Sequence, residues 1–136
     1  MQNEIRISNQ PPEPLAYIDL RVEAGLSGKS VEAATIGLQH ALFTVCLYDG
    51  ELLVGLGRVI GDGGTAYQII DVVVKPSHQG KGLGKLVMRE ITNYLDQHAM
   101  KGAYVSMIAD APADKLYAQF GFEYTYPRSY GMYKRY

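Results

Sequence analysis

The densest chemistry in the chain lies in residues 71–85, DVVVKPSHQGKGLGK, where a β-branched run passes through a glycine-rich turn into an amphipathic stretch. Gly80, Gly82 and Gly84 stand at alternate positions. Glycines so spaced let successive backbone N–H groups converge on one anion, because without a Cβ they enter left-handed conformations at little cost. A helix beginning near Gly82 adds the positive end of its dipole, and Lys81 and Lys85 add local positive charge. The pattern calls for a phosphate-bearing ligand.

Register narrows which one. A Walker A loop needs a glycine where the chain has Gln79 and a hydroxyl residue where it has Leu86, so ATP hydrolysis is disfavoured. The Rossmann spacing fails as well, since Gly80-x-Gly82 leads to Lys85 and Gly82-x-Gly84 leads to Val87. What remains is Q-x-x-G-x-G on Gln79, Gly82 and Gly84. His40, His78 and His98 share no ligand spacing, so no metal is expected, and His78 reads as a loop residue. The lone Cys46 excludes an intrachain disulfide and a cysteine zinc site, and on an apolar strand it reads as an inert buried thiol.

The elements that must position this turn follow from periodicity. Residues 4–8 alternate as a short strand before Pro11, Pro12 and Pro14 break it. Helical spacing predicts helices over 15–24 and 31–40, the second with Ser30 as N-cap. Residues 42–48 and 52–60 are strand-like, and Asp49-Gly50 between them signals a hairpin. Residues 61–64, GDGG, make another turn before a central strand over 67–75. The longest helix runs from Leu83 to about Gly102, followed by a strand over 103–109 that pairs parallel to the central one. Pro112 suits the first turn of a helix carrying Leu116, Tyr117 and Phe120, which Gly121 and Phe122 close as a Schellman motif. Two final strands are expected over 124–126 and 132–134. The fold class is α+β: a mixed, mostly antiparallel sheet with one parallel pair, flanked by about four helices.

Composition bounds the rest. With 136 residues, 47% of them hydrophobic and 20% charged, the chain suits a single domain over 1–136. Its 13 Lys+Arg against 14 Asp+Glu give a net charge of -1, which provides no global positive field for nucleic acid or an anionic membrane. The first residues, MQNEIRISNQPPEP, lack the basic start and apolar run of a signal peptide, and no apolar run approaches the ~20 residues of a transmembrane helix. A cytoplasmic protein is expected.

With the turn and the element order in view, the sequence resembles the GCN5-related N-acetyltransferase (GNAT) superfamily. VVVKPSHQGKGLGKLVM is similar to that family's central strand, pyrophosphate loop and following helix, and KLYAQFGF is similar to its downstream L-Y-x-x-x-G-F box. The resemblance implies the GNAT fold, with the parallel pair splayed, and acetyl-CoA as co-substrate. Its pyrophosphate would rest on backbone amides from Gln79 through Gly80, Lys81, Gly82, Leu83 and Gly84 to Lys85. Backbone groups of Val72, Val73 and Val74 would bond the pantetheine arm, with an amide near Val72 donating to the thioester carbonyl. Tyr117, the tyrosine of the box, would be the general acid that protonates the departing thiolate. Asp71 stands where an acidic side chain would orient or deprotonate the amine, or serve as a hydrogen-bonded structural group; Glu23 is a weaker candidate base. Arg21 and Arg58 are candidates to clamp a carboxylate or phosphate on the acceptor. No Ser-His-Asp or Cys-His arrangement is suggested, so direct transfer fits best.

The chain departs from the family pattern at Asp110-Ala111-Pro112, where many relatives carry Asn, and Asp110 is read instead as a cap of the last helix. The C-terminal tyrosines (Tyr124, Tyr126, Tyr130, Tyr133, Tyr136) read as sheet packing, with a pocket wall or subunit contact as alternatives. The function expected is acetyl transfer from acetyl-CoA to a primary amine of a small molecule, with no nucleic-acid or membrane partner and with a homodimer by analogy. The alternatives are a protein or peptide amine acceptor and a CoA-binding sensor that has lost turnover. A nucleotide-binding oxidoreductase is disfavoured by the failed Rossmann register.

Overall fold

Pairing of the apolar runs produces a five-stranded sheet in the order β1-β2-β3-β4-β5, described over residues 4–136 in a computed structural model. Residues 1–3, part of the domain expected over 1–136, lie outside the described residues. The strands are β1 (Ile5–Ser8), β2 (Phe43–Asp49), β3 (Leu52–Gly61), β4 (Ala66–Val74) and β5 (Tyr104–Ser106). The helices are α1 (Pro14–Glu23), α2 (Val31–Gln39), α3 (Leu83–His98) and α4 (Asp114–Ala118). The first four strands are antiparallel in sequence, and β4 pairs parallel with β5 across the α3 crossover, as periodicity predicted.

Local signals set most boundaries. Gly50 adopts a φ of 61° in the β2–β3 turn, the left-handed conformation that Asp-Gly hairpins favour. The Asp62 carboxylate closes the β3–β4 turn by accepting from the Thr65 hydroxyl and from the amides of Gly64, Thr65 and Ala66. Those bonds, the Thr65 hydroxyl foremost, hold its carboxyl well below the usual carboxylate range. Ser30 caps α2, its Oγ accepting from the Ala33 amide at 3.1 Å. The Schellman motif forms after α4: the Phe122 amide donates to the Tyr117 carbonyl, the Gly121 amide to that of Ala118, and Gly121 has a φ of 91°.

Both faces of the sheet are covered, so β2 reads as a continuous apolar run with alternate residues in different cores. Val45 and Leu47 join Val54, Val59, Val87, Met88 and Ile91 beneath α3. Cys46 joins Tyr17, Leu20, Leu38, Leu56 and Val73 beneath α1 and α2. Burial pushes the Cys46 thiol up to about 11, which suits an unreactive core group. Gly57 lets α3 approach β3: a Cβ there would lie 2.6 Å from Val87 Cγ1 and 2.8 Å from Ile91 Cδ1. Gly57→Ala is therefore expected to destabilise the fold by about 1–3 kcal/mol through overpacking. A lowered thermal midpoint is the check.

Several expectations fail in the last quarter of the chain. The strands expected over 124–126 and 132–134 do not form, and Tyr124, Tyr126, Tyr130, Tyr133 and Tyr136 are exposed rather than packed on a sheet. The reason is the length of β5. It was expected over 103–109 but leaves the sheet after Ser106, so there is little edge for a further strand to join. Asp110 does not cap α4 either; the N-cap is Ala113, with no side-chain bond, and Pro112 and Ala113 accept the opening turn's amides through their carbonyls. Among the described residues no helix is long and apolar enough to cross a membrane.

Candidate active site

The cleft begins where β4 and β5 part. Parallel pairing covers only Ala66–Gln68 against Tyr104–Ser106, and β4 runs on to Val74 with no partner on that side. The gap opens into a cleft of about 800 Å³ with Gln68–Val74 on one wall and Met107, Ile108 and Asp110 on the other. Unpaired strand amides and carbonyls facing such a gap need a guest to satisfy them. An extended ligand laid along residues 69–74 would do so as a surrogate strand.

At the open end of β4 the chain makes a single 3-10 turn (Pro76–His78) and reaches the glycine loop. Gly80 and Gly82 have φ values of 78° and 81°, and an added Cβ at either would meet nothing within 4 Å, so empty space lies in front of both. Gly82 is also the N-cap of the 16-residue α3, whose first amides have no intrahelical acceptor. This is a concave row of N–H donors at a helix start, the geometry that holds a diphosphate. The Gln79 side chain donates to the Val74 carbonyl at 3.0 Å and so ties the loop to the strand end. His78 anchors the loop's base from below, its Nε2 2.9 Å from Asp49 Oδ2 and its Nδ1 2.7 Å from Ser77 Oγ. Gln79, Gly80, Gly82, Leu83 and Gly84 line the cleft, whereas the Lys81 and Lys85 side chains are exposed outside it.

Tyr117 enters the cleft from α4 with 7% of its surface exposed. Burial, and then the nearby Asp110 charge, raise its hydroxyl above the ordinary tyrosine range near 10. It therefore keeps its proton at neutral pH.

Asp71 sits at the irregular point of β4. Leu56 pairs with Val73 and Arg58 with Ile70, so Asp71 and Val72 together oppose the single Gly57 in a β-bulge. Asp71 has a φ of 57°, the one left-handed non-glycine residue described. Strict alternation would place its side chain with Tyr67 and Ile69 under α3; the bulge turns it to the α1 face. There its Oδ2 accepts from the Tyr17 hydroxyl at 2.7 Å and from Arg58 Nε at 2.9 Å, and its Oδ1 accepts from Arg21 Nη1. Tyr17, Arg21 and Arg58 are all buried. Burial, then the Asp71 hydrogen bond, push the Tyr17 hydroxyl up.

The structure thus brings Asp71, Arg21 and Arg58 into one cluster, with Tyr17, which no motif or spacing in the sequence singles out. Arg58, expected as an acceptor clamp beside Arg21, does not line the cleft; its Nη1 donates to the Gly37 carbonyl and its Nη2 to the Tyr17 hydroxyl. Glu23 pairs with Lys75 at the surface. Among the described residues no group of three or more His, Cys, Asp or Glu is placed to hold a metal ion.

Comparison with known proteins agrees with this geometry. The model of the acetyltransferase (GNAT) family matches residues 6–122. The chain is 50% identical to SA2161 of meticillin-resistant Staphylococcus aureus, a protein of unknown function described as a probable acetyltransferase. That match covers 98% of this chain and 100% of the other at a TM-score of 0.95. It is 27% identical to the GNAT family protein SP0256 of Streptococcus pneumoniae, covering 98% of each chain at a TM-score of 0.77. Among curated proteins it is 30% identical to the uncharacterized N-acetyltransferase ycf52 of Porphyra purpurea over 69% of this chain and 55% of that one. The chain spans about half the length of that relative, and less of several others. A strand pair that splays, a glycine loop on a helix start and a tyrosine facing both are thus found where a family match covers most of the sequence: the chain belongs to the GNAT acetyltransferase family.

Proposed function

We propose that the protein transfers an acetyl group from acetyl-CoA directly to a primary amine of a small molecule. The observation that carries this reading is the continuity of one cleft from the glycine loop, along the unpaired edge of β4, to Tyr117 and Asp71. The residues present fit the coenzyme. The open space before Gly80 and Gly82 suits the diphosphate, and the β4 edge from Val72 to Val74 suits the pantetheine arm.

Acetyl-CoA supplies the thioester whose carbonyl carbon the amine nitrogen attacks. The β4 backbone near Val72 is positioned to donate to the carbonyl oxygen as it gains negative charge. Tyr117 holds a proton at a buried hydroxyl and gives it to the sulfur as the carbon–sulfur bond breaks. The proton lost by the amine passes to solvent. Asp71 acts here as a positioning group: both of its oxygens already accept from Tyr17, Arg21 and Arg58, and the cluster holds the bulge that aims Val72.

The test is thiol release from acetyl-CoA with a panel of amines. Tyr117→Phe should lower kcat by about a hundredfold while leaving acetyl-CoA affinity nearly unchanged. In the wild-type protein the alkaline limb of kcat should fall above the ordinary tyrosine range near 10, as burial of Tyr117 dictates, and it should vanish in the variant. Unchanged turnover across pH would remove Tyr117 as the acid. Coenzyme binding with no thiol release from any amine would favour a sensor role.

A further inference from the structure

The charges around the cleft say what kind of amine it receives, on the footing that the protein is an acetyltransferase. Two guanidiniums and one carboxylate form the buried cluster, with side-chain exposures of 8% for Arg21, 9% for Arg58 and 7% for Asp71. One positive charge is thus left over where water is largely excluded, and an anion nearby would offset its desolvation. Of the two arginines only Arg21 lines the cleft. It gives Nε to the Ser27 carbonyl, one Nη2 hydrogen to Ser27 Oγ and one Nη1 hydrogen to Asp71, and each Nη carries a second hydrogen.

The same wall continues the positive charge. Between α1 and α2 the chain runs along the cleft from Ala24 to Lys29, and Lys29 is exposed within it; Arg135 lines the cleft from the C-terminal segment, whose Gly131 lies against Ile108 of the other wall. Among the described residues the only lining carboxylate besides Asp71 is Asp110, which is close enough to Tyr117 to raise its hydroxyl. The cleft is therefore cationic beside α1 and carries a carboxylate beside the proton donor. We infer that the acceptor is an aminocarboxylate, its ammonium end drawn to Asp110 and Tyr117 and its carboxylate held by Arg21 and Lys29. Arg21 offers the planar donor pair and Lys29 the point charge that steers the acid in.

The experiment compares straight-chain ω-aminocarboxylates with alkylamines of equal length, whose amines have similar basicity, by thiol release from acetyl-CoA. The carboxylate member should show a kcat/KM higher by about tenfold or more, as one charge-assisted contact would give. That ratio should shrink as ionic strength rises. Lys29→Gln should reduce it and Lys29→Glu should carry it lower still, with coenzyme affinity read separately by calorimetry. Equal kcat/KM for the two series, or a ratio indifferent to both Lys29 variants, would overturn the inference. If no amine releases thiol, the acetyltransferase reading fails by itself. Calorimetric binding of the aminocarboxylates to the coenzyme-loaded protein then decides this one: binding weakened by Lys29→Glu supports it, and binding no tighter than that of the alkylamines sinks it.

Discussion

Gly82→Arg should abolish coenzyme A binding, lowering affinity by at least about a thousandfold, or ~4 kcal/mol. The effect has two sources. A non-glycine residue at a φ of 81° costs about 1–2 kcal/mol in the loop, and the arginine side chain enters the open space that a diphosphate would fill. Displacing the diphosphate forfeits charge-assisted bonds from the loop amides worth about 1.5–3 kcal/mol each. Because nothing in the protein lies within 4 Å of the added Cβ, the core is untouched and the variant should fold. Lys81→Ala is the contrast: Lys81 is exposed outside the cleft, so its loss should weaken binding mildly and only at low salt. Titration calorimetry checks both. Ordinary affinity in folded Gly82→Arg would show that the diphosphate does not rest on this loop.

The second large effect is expected at Asp71. Asp71→Ala leaves two buried guanidiniums facing each other with no carboxylate between them and removes the acceptor of the Tyr17 hydroxyl. Breaking a buried ion pair by deleting one partner costs about 3–5 kcal/mol, which in a domain of this size lowers the thermal midpoint by roughly 10 °C or more. Asp71→Asn keeps the size and separates two roles. If Asp71 positions the bulge, the variant loses stability and kcat together while the acidic limb of the kcat profile persists. If Asp71 takes the proton from the amine, that limb disappears. A fully stable Asp71→Ala protein would show that the cluster contributes little to the fold.

These two residues differ in how far they could be read from the chain. Gly82 is legible because its constraint is local: alternate glycines between a β-branched run and an amphipathic helix leave few conformations, and the amides at such a helix start are free to face an anion. The hairpin at Gly50, the cap at Ser30 and the Schellman closure after Tyr117 are legible for the same reason, since each is settled within a few residues. Asp71 is identifiable by type and place, yet the face its side chain takes is not. That face depends on one residue too many in β4 opposite Gly57, a matter of register between two strands.

The amino-acid sequence by itself determined the strand and helix order as far as α4 and the glycine turn that opens α3, because turn chemistry and hydrophobic period act over short range. Only the tertiary structure decided that Tyr17, Arg21 and Arg58, separated from Asp71 by up to 54 positions, share its carboxylate. It also decided that β5 leaves the sheet at Ser106, which widens the cleft and removes the edge that the C-terminal tyrosines would have needed. The physical reason is the same in both cases: a buried charge or a sheet edge takes its partner from whatever the fold brings near, and the chain does not state that partner at either position.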